Sequence, residues 1–280
     1  MMLSGLLQTL QEQLTGGLFT YSIVIVDNDV AQSAKEVVTS HKLKTQIDID
    51  YYMEPKQSIS LTRNRAVENA KGNYVAFIDD DETPMVDWLY NLYTTCIEYK
   101  VDGVLGPVKP TFQEKPPNWI IKGKLFERPS YETGKVLEWY NTRTGNVLLR
   151  KKIFERNGNL FNPEFRHSED QDFFRRMTEQ GYVFIWCDEA IVHEIETPDR
   201  FKIVYFIRRA LLRGNVSLRL RSNKLLLIAK SATAFSIYTL ALPFLLVVGQ
   251  YLFIKYLIKD FDHLGRLMAA LGFDMQRYLT

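Results

Sequence analysis

Cysteine is nearly absent: Cys96 and Cys187 are the only two in 280 residues. They stand far apart, without the spacing of a metal knuckle or a redox pair. That excludes a disulfide framework and fits a reducing compartment in which neither thiol does chemistry. An excess of one charge is missing too. Lys and Arg number 35 against 33 Asp and Glu, for a net charge of +2, so bulk charge gives no reason to expect a nucleic acid partner. The basic residues are bunched, however, with Arg208, Arg209, Arg213, Arg219, Arg221 and Lys224 close together. No secretory signal is legible, since Met1 to Leu14 lacks a basic start and carries polar residues every few positions. No internal repeat or low-complexity tract interrupts the pattern.

What is there is a globular composition, 46% apolar and 24% charged, enough for a sizeable core. Leu3, Leu6, Leu7, Leu10 and Leu14 recur at helical spacing and predict an amphipathic first helix. Tyr21 to Asp27 is a β-branched apolar run and predicts a buried strand ending in the loop Asp27-Asn28-Asp29. A helix through Ala34 to Thr39 and a strand over Ile47 to Met53 follow. A helix capped by Ser60 then runs to Ala70, before a strand over Tyr74 to Ile78. Pro84 suits the first turn of a helix carrying Trp88, Leu89 and Leu92, and Val101 to Val108 gives another strand. Such alternation predicts an α/β fold with a mostly parallel sheet flanked by helices, whose ligands bind at strand carboxyl ends.

Pro110 to Leu137 mixes Pro, Trp and charge without a period and reads as a long loop over the cleft. A helix from Glu169 to Gln180 and short strands at Val183 to Trp186 and Ala190 to His193 close the regular part. Ser231 to Ile254 lacks any charge and has lysines on both sides. About 20 apolar residues span a bilayer core as helix, so this run predicts a C-terminal membrane-associated helical segment, with Pro243 able to kink it. The basic flank places the preceding residues on the cytoplasmic side. The expected division is residues 1–222 as one domain and 223–280 as the membrane-associated region.

Three adjacent carboxylates after a buried strand, Asp79, Asp80 and Asp81, repel one another unless a cation sits among them. A hard divalent ion, Mn²⁺ or Mg²⁺, with a diphosphate completing its shell, answers that need. A solvated acidic turn capping the next helix is the plainer reading of the same residues. Ser168-Glu169-Asp170-Gln171-Asp172-Phe173 lies at a predicted helix start, where the dipole alone favours carboxylates. His193 follows an apolar strand and by itself is as well explained by packing.

Order and interval bind these pieces together. Ile25-Val26-Asp27-Asn28, Leu61-Thr62-Arg63-Asn64-Arg65-Ala66, Phe77-Ile78-Asp79-Asp80-Asp81-Glu82, Thr144-Gly145-Asn146, Glu169-Asp170 and Val192-His193-Glu194 succeed one another along most of the chain. In this it resembles the family 2 glycosyltransferases of GT-A fold. Val104-Leu105-Gly106-Pro107-Val108 and Glu169-Asp170-Gln171-Asp172-Phe173-Phe174 bring it nearest the glucosyltransferases of succinoglycan-type bacterial exopolysaccharides.

The resemblance implies roles. Asp27 matches a carboxylate beside uracil, Arg63 a basic residue near the nucleotide, and Asp80 a ribose contact. Asp79, Gly145, Asn146 and Glu169 match the rest of the nucleotide-sugar site, with Gly145 and Asn146 against the donor sugar. Asp81 and His193 match metal ligands, and Asp170 the catalytic base. The implied reaction is inverting transfer from a UDP-sugar, UDP-glucose first, to a lipid-linked saccharide at the cytoplasmic face of a bacterial inner membrane. The family's first strand has no counterpart here, and an upstream reading frame encoding it is expected. The competing expectations are a two-metal nucleotidyltransferase, for which no further carboxylate strand or triphosphate loop is evident, and a non-catalytic membrane scaffold derived from a transferase.

Overall fold

The structure, a computed structural model, describes residues 2–156, 158–221 and 223–275. Met1, Asn157, Ser222 at the expected domain boundary, and residues 276–280 lie outside them. The first helix is α1, Met2–Gln11, which buries Leu6, Leu7 and Leu10. Then come β1 (Ile23–Asp27), α2 (Lys35–Lys42), β2 (Ile49–Met53), α3 (Ile59–Asn69), β3 (Tyr74–Ile78), β4 (Glu82–Pro84) and α4 (Trp88–Glu98). They are followed by β5 (Gly103–Leu105), β6 (Val108–Phe112), α5 (Asn118–Gly123), β7 (Asn146–Arg150), α6 (Glu169–Glu179), β8 (Phe184–Trp186) and β9 (Val192–Glu196). Three helices close the chain: α7 (Ile203–Leu220), α8 (Lys224–Val248) and α9 (Gln250–Ala270).

The α/β architecture is as expected, but the pairing is mixed rather than mostly parallel. β1 pairs β2 and β5 pairs β8 in parallel, whereas β3–β7, β5–β7 and β4–β9 are antiparallel. The reason is topological. β7 is entered from a long irregular connection rather than a helical crossover, and only the latter obliges neighbouring strands to run parallel. Among the described residues β1 pairs only with β2, and β3 only with β7. Three local expectations shift as well. Ser58, not Ser60, caps α3, its hydroxyl accepting from the Leu61 N–H at 3.4 Å. Pro84 sits in β4 rather than in a helix, and the supposed loop 110–137 contains the end of β6 and α5.

The chain divides into two packing units, Met1–Thr111 with Arg128–Ile195, and Phe112–Glu127 with Glu196–Thr280. The second unit takes in α7, which packs with α9. The first unit holds two apolar clusters. One joins Leu7, Ile49, Trp88, Leu92 and Val104; the other stacks Phe154, Phe161 and Phe173 beside Phe174, Phe184 and Trp186.

In the second unit α7 and α9 cross closely at glycines. A Cβ on Gly214 would lie 2.0 Å from the Asp262 carbonyl oxygen, and one on Gly265 2.3 Å from that of Leu211. Arg213 pairs with Asp262 and Arg219 with Asp274, so part of the basic cluster serves packing inside this unit. The uncharged run 231–254 is not one helix. Gly249 breaks it with an extended backbone (φ 165°), ending α8 at Val248 and starting α9 at Gln250. Of α8's 25 residues, 6% of the most apolar window is buried, at a mean hydropathy of 1.8.

Candidate active site

The site forms where β3, α3, α6 and the loop before β7 meet, all in the first unit. β3 is a buried strand that must leave the sheet at a polar turn. Asp79, Asp80 and Asp81 form it, closed by the Glu82 N–H donating to the Asp79 carbonyl at 3.1 Å. Glu82 answers with its side chain, Oε2 accepting from the Asp79 N–H at 3.0 Å. Glu82 is 2% exposed. Burial, then the nearby Asp79, holds its carboxyl well above the usual carboxylate range. Asp79 is also raised, by its depth in the cleft and then by Asp81, Glu194 and Asp80, while Arg63 opposes them. Its side chain nonetheless keeps 51% of its surface open, so it lies low among protein atoms yet faces the cleft.

α3 explains how α6 reaches this turn. Ser60 and Asn64, four apart and so on one helical face, both grip the loop ahead of α6. Ser60 Oγ donates to the Asn162 carbonyl at 3.0 Å. Asn64 donates to the Phe161 carbonyl at 2.9 Å and accepts from its N–H at 2.8 Å. Arg63, between them in sequence, bonds Glu169, lies 3.7 Å from Asp79 Oδ1 and stacks over the Phe161 ring. One guanidinium thus joins the aspartate turn to the start of α6.

At that start Ser168 adopts a left-handed conformation, φ 59°. Glu169 is taken by Arg63. Asp172, 2% exposed, is held by Arg175 and by Arg176 at 2.8 Å. Among the described residues Asp170 makes no ion pair; its Oδ1 accepts only the Gln171 N–H, at 2.7 Å. Burial and then Glu169 push its carboxyl up to about 6, against the pull of Arg63 and Arg143. A carboxylate poised near neutrality and free of ion pairing is suited to receive a proton.

Other expected site residues fare differently. Asp27 is 7% exposed and accepts from Tyr51 Oη at 2.9 Å, the Asp29 N–H at 2.9 Å and the Ala34 N–H at 3.1 Å. It shapes its own loop, and any contact with a base would use what acceptor capacity remains. Asn146 does not offer its side chain to the cleft. It is fully buried, accepts from Trp88 Nε1 at 2.7 Å, and donates to the carbonyls of Pro107 (3.0 Å) and Ala190 (2.7 Å). A buried amide so satisfied acts as a brace. Gly145 does reach the site: a Cβ there would stand 2.7 Å from Glu82 Oε1 and 3.2 Å from Asp79 Oδ2.

Among the described residues no group of three His, Cys, Asp or Glu side chains could hold a metal ion alone. What the fold provides is a pair of paired strand ends. The Ile195 N–H donates to the Asp81 carbonyl at 2.9 Å, and Thr83 is opposite His193, whose Nδ1 is 3.3 Å from Thr111 Oγ1. Strand alternation sends His193 and Glu194 to opposite faces of β9. Glu194, opposite Glu82, is bonded by Arg128. Hard divalent ions commonly bind through one or two carboxylates plus substrate phosphates, so a site of that kind would not need three side chains from the protein.

Glu82, Arg128, Glu194 and Arg143 also stand at this cleft, and none of them is among the site residues expected from the sequence. The signal for Glu82 and Arg143 was adjacency, to the triple aspartate and to Thr144-Gly145. Arg128 carried no local signal.

Residues 2–158 match the family described as glycosyl transferase family 2, and the chain belongs to that family. It is 32% identical over 205 residues to the succinoglycan biosynthesis protein ExoM of Rhizobium meliloti, covering 72% of this chain and 65% of that protein. It is 26% identical over 177 residues to the glycosyltransferase AglE of Haloferax volcanii, covering 61% of this chain and 55% of that one. The matches thus span less than two thirds of either relative's length. Among solved structures, S. aureus TarS 1-349 in complex with UDP-GlcNAc superposes with a TM-score of 0.55 at 14% identity, over 96% of this chain and 87% of that one. The UDP complex gives 0.53 at 15% identity, over 96% and 86%. At such identity the likeness establishes the GT-A-like fold alone.

Proposed function

We propose that this chain is a metal-dependent, inverting hexosyltransferase. It transfers a sugar, glucose from UDP-glucose in the first instance, to a lipid-linked saccharide during bacterial exopolysaccharide synthesis. The observation that carries this reading is the Arg63 bridge, which joins Glu169, next to Asp170 at the start of α6, to Asp79 of the aspartate turn. Family membership and the name of the R. meliloti relative support the substrate class.

Asp170 accepts the proton of the acceptor hydroxyl as that oxygen forms its bond to the anomeric carbon. The bond from that carbon to the diphosphate breaks with its electron pair, and the nucleoside diphosphate departs. One displacement turns an α-linked donor into a β-linked product. Arg63 ties Glu169, the neighbour of Asp170, to the aspartate turn, and Gly145 leaves room for the donor. Asp81 and His193 would hold Mn²⁺ or Mg²⁺, which would supply Lewis-acid stabilisation of the leaving diphosphate. Asp27, Asp79 and Asp80 border the nucleotide side. Residues 1–222 carry the reaction, and 223–280 hold it at the cytoplasmic face of the membrane through the exposed apolar surface of α8.

The test is transfer of labelled sugar to lipid extract, with UDP-glucose, UDP-GlcNAc and UDP-galactose compared in Mn²⁺ and in chelator. Label entering the organic phase from UDP-glucose, only with metal, is the expected result. Incorporation from none of the donors, with no donor hydrolysis, would overturn the reading.

A further inference from the structure

Three arginines stand at the acidic cleft, and two are committed. Arg63 bonds Glu169, and Arg128 bonds Glu194. Arg143 makes no hydrogen bond or ion pair among the described residues, although Glu82, Glu194 and Asp170 all act on its charge. The next residue, Thr144, is 1% exposed, and its Oγ1 has no partner. The residue after that is Gly145, whose missing side chain leaves the backbone bare against Glu82 and Asp79. Buried polar groups are almost always bonded, so the buried Thr144 hydroxyl, between an arginine without a partner among the described residues and a bare glycine, is an arrangement that awaits oxygens from outside.

The neighbouring carboxylates do not supply those oxygens. Glu194 is held by Arg128, and Glu82 is turned onto the Asp79 N–H. Half-buried and facing Arg128, Arg143 is pulled down to about 10, chiefly by burial. It therefore remains cationic at any physiological pH, and a desolvated cation without a partner is costly. A forked guanidinium with a hydroxyl beside it matches a phosphate group best. Its charge is within electrostatic reach of Glu82 and Glu194, beside the aspartate turn, and of Asp170.

Resting on the function proposed above, we propose that Arg143 and the Thr144 hydroxyl bind the sugar-bearing phosphate of the donor's diphosphate. They would hold it as it leaves. Arg143 is then a catalytic residue that sequence reading overlooked.

The experiment is titration of the full chain in detergent with UDP, uridine and inorganic pyrophosphate, by calorimetry, with and without Mn²⁺. Wild type, Arg143→Gln, Arg143→Lys and Thr144→Val are compared. Arg143→Gln should weaken UDP and pyrophosphate by roughly 10- to 100-fold, as for loss of a charge-assisted hydrogen bond, and leave uridine unchanged. Lys should recover part of the loss, and Thr144→Val should show a smaller one. The melting temperature of Arg143→Gln should not fall, because no bond is removed. UDP affinity unchanged in Arg143→Gln, or uridine weakened as much as UDP, would overturn the assignment while leaving the transferase reading intact. Wild type that binds pyrophosphate through Arg143 but neither UDP nor uridine would keep the assignment and remove the nucleotide reading. Binding of none of the three would overturn both.

Discussion

The Arg63 guanidinium bonds the carboxylate of Glu169, with side chains 15% and 7% exposed, and lies 3.7 Å from Asp79 Oδ1. Three segments distant in sequence therefore share one charge. Arg63→Met would leave Glu169 buried and unpaired. Breaking a buried pair by removing one partner costs about 3–5 kcal/mol. A urea titration should show a loss of this order, and a variant as stable as wild type would mean the pair is incidental.

Asp170 gives a pH signature. Its carboxyl stands at about 6, and only the deprotonated form can accept a proton. kcat/KM should therefore fall about tenfold per unit below pH 6 and flatten above it. Arg63 lowers this carboxyl and Glu169 raises it. Hence Arg63→Met should move the acid limb to higher pH, and Glu169→Gln to lower pH. Asp170→Asn should cost about 10²–10⁴-fold in rate, with UDP affinity nearly unchanged. An Asn variant with wild-type turnover would send the role elsewhere. Asp172, bonded by two arginines, is poorly placed to take it.

Metal dependence is tested at Asp81. Asp81→Ala should abolish transfer and the Mn²⁺ enhancement of UDP binding, with folding little changed, since one of a cluster of like charges is removed. The measurement is UDP affinity with Mn²⁺ and with chelator. Equal affinity in both for wild type would remove the metal from the scheme.

Gly145→Ala probes the wall beside the donor. Its new Cβ would press on Glu82 Oε1 at 2.7 Å, and Glu82 is pinned by the Asp79 N–H. The clash must displace the turn that carries the aspartates. A shift near 1 Å in such a site costs about 10²-fold in rate, so activity should drop far more than stability. Wild-type kcat/KM in this variant would show that the turn tolerates the methyl.

How much of this was legible follows from what kind of signal each residue carries. β1 and β3 were readable because a buried strand is a continuous β-branched run, and their polar ends located Asp27 and Asp79–Asp81. The direction of pairing was not, because β7 follows a connection without periodicity, which leaves its partners open. Asn146 illustrates a second limit. Its place in a motif marks importance, but only the positions of Trp88, Pro107 and Ala190 reveal that its amide is spent inward. Arg128 reaches Glu194, 66 positions further along the chain, and no local pattern reports that. The uncharged run 231–254 read as one segment, yet a single residue, Gly249, divides it.

That division decides how the membrane proposal is best tested. Removing everything after Lys224 would strip α9 from α7, whose glycine crossing admits no side chain, and the remainder would expose a new apolar face. Point substitution avoids this. Leu240, Phe244 and Val247 are 73%, 76% and 89% exposed, and their spacing of four and three places them on one face of α8. Gln is nearly as good a helix former as Leu, so replacing all three should keep α8 intact while removing the surface that would meet lipid. In vesicle flotation, wild type should rise with liposomes of neutral and anionic lipid, and the triple variant should stay with soluble protein. Donor hydrolysis should survive, because these exposed residues belong to the second packing unit and Asp81 and Asp170 to the first. If the triple variant floats as wild type does, α8 is not the anchor, and its apolar surface serves another contact.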